Sequence, residues 1–358
     1  MLIDPSAGPE QSGYERLTRR RTLVLLFAVF LFSTVAILSL GVGSYQLSPA
    51  AILKALCGLG DEGIVRHLVW SIRLPRTMGA ILAGAGLGVS GIVMQTLLKN
   101  PLAAPSTLGV SQGAAFGAAF AIIMLGAGQT HVSGNEAVTL TSRSTVVISA
   151  FTGSLITVIV IFALSTIKRI SAESMILAGV AMSAFLSACT MLLQYFASDV
   201  QVAATVFWTF GDLGKAGPPE NVIMAVTLVP AFLYFMLKSW SYNALQWGDD
   251  VAKSLGVGVK SLRLAGLVIT CLIVSVATSF LGIIGFIGLL APHLMRLVVG
   301  NDQRFLIPAS ALAGGLLLLC SDIFSRTVLA PVILPVGIIT SFAGAPLFLY
   351  LLLTRRSR

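Results

Sequence analysis

Residues able to do chemistry are few and far apart. The three histidines, His67, His131 and His293, are widely separated. His293 follows Pro292 near the end of an apolar run, where a structural role fits better than catalysis. The four cysteines, Cys57, Cys189, Cys271 and Cys320, form no CxxC and no metal-ligand spacing, so neither a disulfide framework nor a metal site is expected. Three of them lie inside apolar runs, where cysteine behaves as a small hydrophobe. No GxxxxGK[ST] is present. The nearest stretches, GVGVKS from Gly256 and GDLGKAG from Gly211, lack the Gly-Lys-Ser/Thr order that cradles phosphates. HExxH and paired carboxylates are also missing. The sequence therefore points away from an enzyme and from a resident cofactor.

What stands out instead is a polar island from Ser239 to Arg263, SWSYNALQWGDDVAKSLGVGVKSLR. Trp247, Val251 and Leu255 recur four residues apart, so they share one helix face, and Asp249, Asp250 and Lys253 lie off it. The two aspartates suit a helix N-terminus and Gly256 suits its end. A short amphipathic helix is expected here. Two readings are open: a plain surface loop, or a docking element for another protein. The apolar stripe could also pack on the rest of the chain and leave the acidic face outward.

The elements around this island belong to a membrane. Of 358 residues, 56% are hydrophobic and only 10% charged, against about 25% charged in soluble domains. The mean hydropathy is +0.94. Apolar runs of spanning length fall at Thr22–Val42, Thr77–Leu98, Leu108–Gly128, Val146–Ile167, Ser174–Phe196, Asn221–Leu237, Leu262–Gly282, Ile284–Val299, Phe305–Ser325 and Leu334–Leu353. The expectation is an all-α polytopic membrane protein with about ten transmembrane helices. A tail of residues 1–21 precedes one transmembrane domain, 22–354, and residues 355–358 follow it. The eighth run is the shortest and suits a broken or re-entrant helix. Gly84 and Gly88 have GxxxG spacing and Gly91 extends the small surface, which suits close helix contact. VQVAATVFWTFG, after Asp199, suits a short helix near the membrane surface.

With both termini inside, sixteen Lys and Arg fall on the cytoplasmic side and seven outside, as the positive-inside rule requires. That explains the net charge of +9 without nucleic acid. It also places the polar island in the cytoplasm. The spans carry no chain of Asp, Glu or His for a proton relay, which disfavours an ion-coupled secondary transporter. Asp322 and Arg326, four apart, are spaced to pair with each other.

Several blocks in order then resemble a known family. SIRLPRTMGAILAGAGLGVSG, MQTLLKNPLAAPSTLGVSQGA, LAGVAMS, GDDVAKSLGV, GIIGFIGLLAPHLMR and LPVGIITSFAGAPLFLYLL resemble the FecCD-type permease subunits of ABC importers for ferric siderophores, haem and cobalamin. The resemblance implies the type II ABC importer permease fold. It also implies a homodimer, or a heterodimer with a close paralogue, in a bacterial or archaeal inner membrane. Two separate ATPase subunits would carry ATP and Mg, and an external binding protein would deliver a metal chelate, with a ferric siderophore first and haem or cobalamin after it. The island then matches the family's coupling helices, about 243–260, with Gly248, Asp249, Asp250, Ala252, Leu255 and Gly256 at the ATPase contact. Arg73, Arg76 and Arg326 match positions that meet acidic residues of the binding protein. Asn100, Leu102, Ser171 and Ala172 align with a cytoplasmic gate. Ala172 stands where the family often has a hydroxyl, and helix capping by Ser171 with a turn at Asn100-Pro101 explains the same residues.

Overall fold

A computed structural model describes residues 9–43, 47–58, 63–127, 142–168 and 172–355. Among them lie fifteen α-helices: α1 (Pro9–Gly41), α2 (Pro49–Leu56), α3 (Gly63–His67), α4 (Leu74–Leu97), α5 (Val110–Ile123), α6 (Arg143–Lys168), α7 (Ala172–Tyr195), α8 (Asp199–Thr209), α9 (Pro218–Leu237), α10 (Ser239–Gln246), α11 (Asp249–Ser254), α12 (Val259–Leu281), α13 (Ile287–Val299), α14 (Gln303–Thr327) and α15 (Val336–Arg355). Seven are long and apolar enough to cross a membrane, and α5, α13 and α15 supply shorter apolar segments. These fall one by one on the ten expected spans. The helix of the first span starts earlier than expected, at Pro9, so it runs into the polar tail.

Helix α4 is the axis of the bundle, because its glycines let other backbones come close. Gly84 and Gly314 face each other: a Cβ on either would come within 2.4 or 2.1 Å of the other's carbonyl oxygen. One on Gly88 would reach 2.1 Å from Ser310 O, and one on Gly91 1.8 Å from Gly288 O. So α4 lies flush on α14 and α13, as the GxxxG spacing predicts. In lipid, where no hydrophobic force separates helix from solvent, this dense van der Waals contact is what holds helices together. The α5–α6 pair repeats the device through Gly113, Gly117 and Gly153.

The polar ends of the helices sort onto two faces. At one, Lys99 reaches Asp249, Gln246 reaches the Asn301 carbonyl, and Arg304 reaches Tyr14. We call this the stub end. At the other, the close of α1 meets Arg73 and Arg326, and α8 lies nearby; this is the groove end. Helix α13 follows a break in the helical backbone. Gly282–Phe286 before it is non-helical, with left-handed backbone at Gly282 (φ 83°) and Phe286 (φ 65°). Such backbone at membrane depth is tolerated where protein buries it or where it lines a cavity.

Candidate functional sites at the two ends of the bundle

At the stub end, α10 and α11 form an elbow. Tyr242 and Leu245 are fully buried and root α10 in the bundle, and Ala252 alone roots α11. Gly248 (φ 124°) makes the bend between them, and Gly256 (φ 78°) releases the chain toward α12; a Cβ at either would meet nothing, so backbone conformation is what calls for glycine. Trp247 is 81% exposed and Leu255 67%, with Val251 beside them. The three apolar side chains therefore face outward and the alternative in which they pack on the bundle is overturned, but they do not share one helix face as expected: Trp247 ends α10, Val251 lies in α11 and Leu255 caps its end.

The two aspartates part company. Asp250 is exposed and, among the described residues, pairs with Lys253 alone, at 3.1 Å. Asp249 turns inward, 2.8 Å from Lys99 Nζ and 3.1 Å from Arg263 Nη2. The hydrogen bond from Lys99, and then the charge of Arg263, hold its carboxyl below the usual carboxylate range against partial desolvation. Of the six residues expected at an ATPase contact, Asp250 and Leu255 are presented outward and Gly248 and Gly256 shape the elbow. Ala252 is a correction, because it is fully buried; Asp249 is a half-buried brace within the chain, with its side chain 34% exposed. Trp247 and Lys253 also belong to the exposed face.

Of the expected gate, Asn100 Oδ1 accepts the Leu102 N–H at 2.8 Å and closes a turn after α4, and Leu102 is exposed. Ala172 opens α7, and Ser171 lies outside the described residues.

The groove end holds the largest departure from expectation. Arg73, Arg76 and Arg326 are not exposed docking residues; they are 5%, 8% and 5% exposed. Asp322, fully buried, lies 2.7 Å from Arg76 Nε and 2.8 Å from Arg326 Nη2. The i,i+4 pair was legible; its second cation, 246 positions away, was not. Asp212 approaches Arg76 Nη2 at 3.5 Å. Other guanidinium donors of Arg73 and Arg326 serve the end of α1, whose last carbonyls lack helical partners. Arg73 donates to the Leu40 and Gly41 oxygens at 2.7 and 2.9 Å. Arg326 donates to Val42 O at 2.7 Å and to Ser39 Oγ at 2.9 Å. A buried carboxylate and an uncapped helix end explain why three arginines are drawn inside.

Beside this cluster opens a cavity of about 680 Å³, lined by Phe210, Gly211, Ile283, Gly337, Phe342 and Pro346 among others. Its walls come from three distant segments joined through backbone. Gly337 N–H donates to Gly211 O at 2.9 Å, Asp212 N–H donates to Leu281 O at 2.9 Å, and Phe210 bridges Ile283. Lys215 Nζ closes the end of α8 by donating to the Trp208 and Phe210 carbonyls at 3.0 and 3.1 Å. Burial pushes its pKa down to about 8, although Asp212 pulls it up. The lining is apolar and holds no charged side chain, so it suits a bulky guest held by shape.

A bundle of ten apolar helices with an exposed elbow at one end and a groove at the other has counterparts. The model of the FecCD transport family matches residues 29–354. The chain belongs to the FecCD transport family. A relative described as an ABC transporter permease in Methanocaldococcus jannaschii is 50% identical over 96% of this chain and 98% of its own. The hemin transport system permease HmuU of Yersinia pestis is 35% identical, covering 94% and 97%. The vitamin B12 import system permease BtuC of Salmonella paratyphi A is 34% identical, covering 95% and 98%. A solved metal-chelate-type ABC transporter, inward-facing, superposes with a TM-score of 0.80 at 28% identity over 93% of this chain and 99% of that one. The FecCD chain is thus a multi-pass membrane permease of the ABC importer class with the type II fold, and a family of transport permeases does no catalysis of its own.

Proposed function

We propose that this chain works as one of two copies in an ATP-driven importer that carries a metal chelate, with a ferric siderophore as first cargo, into a bacterial or archaeal cell. The observation that carries the reading is the stub: an exposed Trp247/Leu255 face on an elbow braced by Lys99, Asp249 and Arg263. An apolar face held rigid outside the bundle suits insertion into a cleft of a separate ATPase, which would hold ATP and Mg. The stub end is cytoplasmic in this reading, with both termini, in keeping with the excess of Lys and Arg on that side. The groove end faces out, toward a binding protein. Poorly buried α7 and the rim of the groove are the surface offered to the second copy. The direct salt bridges to a binding protein expected of Arg73, Arg76 and Arg326 are not part of the proposal, because those side chains are committed inside the chain.

Relatives named for hemin and for vitamin B12 stand at 35% and 34% identity, so similarity does not choose the cargo. The test is uptake in proteoliposomes with the candidate ATPase and binding protein, offering ferric siderophore, hemin and cobalamin in parallel. Uptake should require ATP, and Trp247→Ala/Leu255→Asp should abolish it while the protein stays folded. Buried interface anchors cost about 2 kcal/mol or more each when truncated, roughly a thirtyfold loss of ATPase affinity. Uptake that ignores ATP and follows an ion gradient would overturn the importer reading. Uptake of hemin or cobalamin alone would keep the mechanism and replace the cargo.

A further inference from the structure

We propose that Asp212, held by Arg76, is a positioning residue for passage through the groove, and that this ion pair is the contact that breaks when the groove wall moves. The inference rests on the permease reading above. Asp212 stands at a border. On its C-terminal side Leu213 is fully buried and Ala216 packs at Gly79 of α4, so that side belongs to the bundle. On its N-terminal side Phe210 and Gly211 are groove wall. The wall's backbone ties run to Leu281, Ile283 and Gly337, which are themselves groove wall or its immediate neighbours. They bind the rim into one unit, which Leu281 joins to the bundle through the end of α12; the charged tie between that rim and α4 is a separate, weaker one.

The ion pair that links this border to the axis is Arg76–Asp212, and it is made to part. Arg76 spends its best geometry on Asp322, at 2.7 Å, and meets Asp212 at 3.5 Å through Nη2, which is buried and makes no hydrogen bond. The Asp212 side chain is 38% exposed, so water can replace Arg76 there. The Asp322 side chain is wholly buried, so water cannot replace Arg76 there. When the wall shifts, Asp212 hydrates, while Arg76, Asp322 and Arg326 stay bound to each other and to the end of α1. Asp212 also accepts the Gly214 N–H at 2.9 Å, a turn contact that an asparagine oxygen would keep.

Asp212→Asn therefore removes the charge and spares the turn, and Asp212→Glu restores the charge on a longer arm. The first measurement is hydrogen–deuterium exchange on the purified chain in lipid nanodiscs. In Asp212→Asn, the Asp212 and Gly337 amides should exchange about two- to fivefold faster, the range of a half-exposed ion pair. Val42 near the arginine cluster should stay at the wild-type rate, and Asp212→Glu should return the rim toward wild type. In the reconstituted importer, Asp212→Asn should lower chelate uptake per ATP hydrolysed while ATP hydrolysis persists. Rim exchange that does not change, equal loosening around Val42, or unchanged uptake per ATP would each overturn the proposal. Wild-type liposomes that take up nothing would overturn the permease reading instead, and the exchange result would still decide whether Asp212 holds the rim.

Discussion

Asp249 and Asp322 each sit between two cations, one at either end of the bundle. Asp249 has Lys99 at 2.8 Å and Arg263 at 3.1 Å; Asp322 has Arg76 at 2.7 Å and Arg326 at 2.8 Å. The distances are nearly the same and the surroundings are not. The Asp249 side chain is 34% exposed and that of Asp322 is 0% exposed. Water and salt screen the first arrangement and make it an adjustable brace under a surface elbow. The second is dry, and its partners cannot fall back on solvent, so it acts as a fixed joint between α4, α14 and the end of α1.

The sharpest test of that contrast is to remove each aspartate in turn. Asp322→Ala leaves Arg76 and Arg326 buried beside each other without a counter-charge, and should cost about 3–5 kcal/mol, seen as loss of folded protein or a large fall in Tm in detergent. A smaller loss, about 1–3 kcal/mol, is expected of Gly88→Val, which drives a side chain into the Ser310 carbonyl and separates α4, the rod joining the two ends, from α14. Asp249→Ala should cost only a few tenths of a kcal/mol for each screened pair, and raised salt should erase the difference from wild type. If Asp249→Ala proved as damaging as Asp322→Ala, the contrast between the two ends would fail.

The pH dependence of the brace has a definite sign. The folded-state pKa of Asp249 is depressed, so its contribution is complete above the ordinary aspartate value near 3.9 and is lost as pH falls through the lower folded value. Thermal unfolding of wild type and Asp249→Asn should therefore differ slightly at neutral pH and converge in strong acid. The smallest effect is expected of Asp250→Lys: an outward side chain beside Lys253 should leave Tm unchanged and alter only the association with an ATPase, which pull-down at two salt concentrations would read.

How far these features were legible in the residues differs element by element. The close approach of α4 was written in Gly84, Gly88 and Gly91, because a small-residue stripe acts through its own helix. The α10–α11 elbow was visible as a polar island, and the break before α13 as a short apolar run. Which way the elbow faced was not visible. A period of four puts Trp247, Val251 and Leu255 together without saying whether the bundle or solvent lies beyond them. The arginines misled for a related reason: near the end of a span, an Arg snorkels outward unless something buried claims it; Asp322 claims Arg76 from far along the chain, and the end of α1 claims Arg73 and, with Asp322, Arg326.

The sequence by itself determined what is local or compositional: ten apolar spans, the polar island and the ordered blocks that place the chain in its family. Spanning length and hydrophobic period are properties of contiguous residues, so lipid reads them without knowing the fold. Only the tertiary structure decided which of two adjacent aspartates turns inward, that three arginines become internal struts, and that Phe210, Ile283 and Gly337 meet around one groove. Each of those depends on burial and on partners brought together across long stretches of chain, and burial decides whether a charge is screened by water or must be answered by protein.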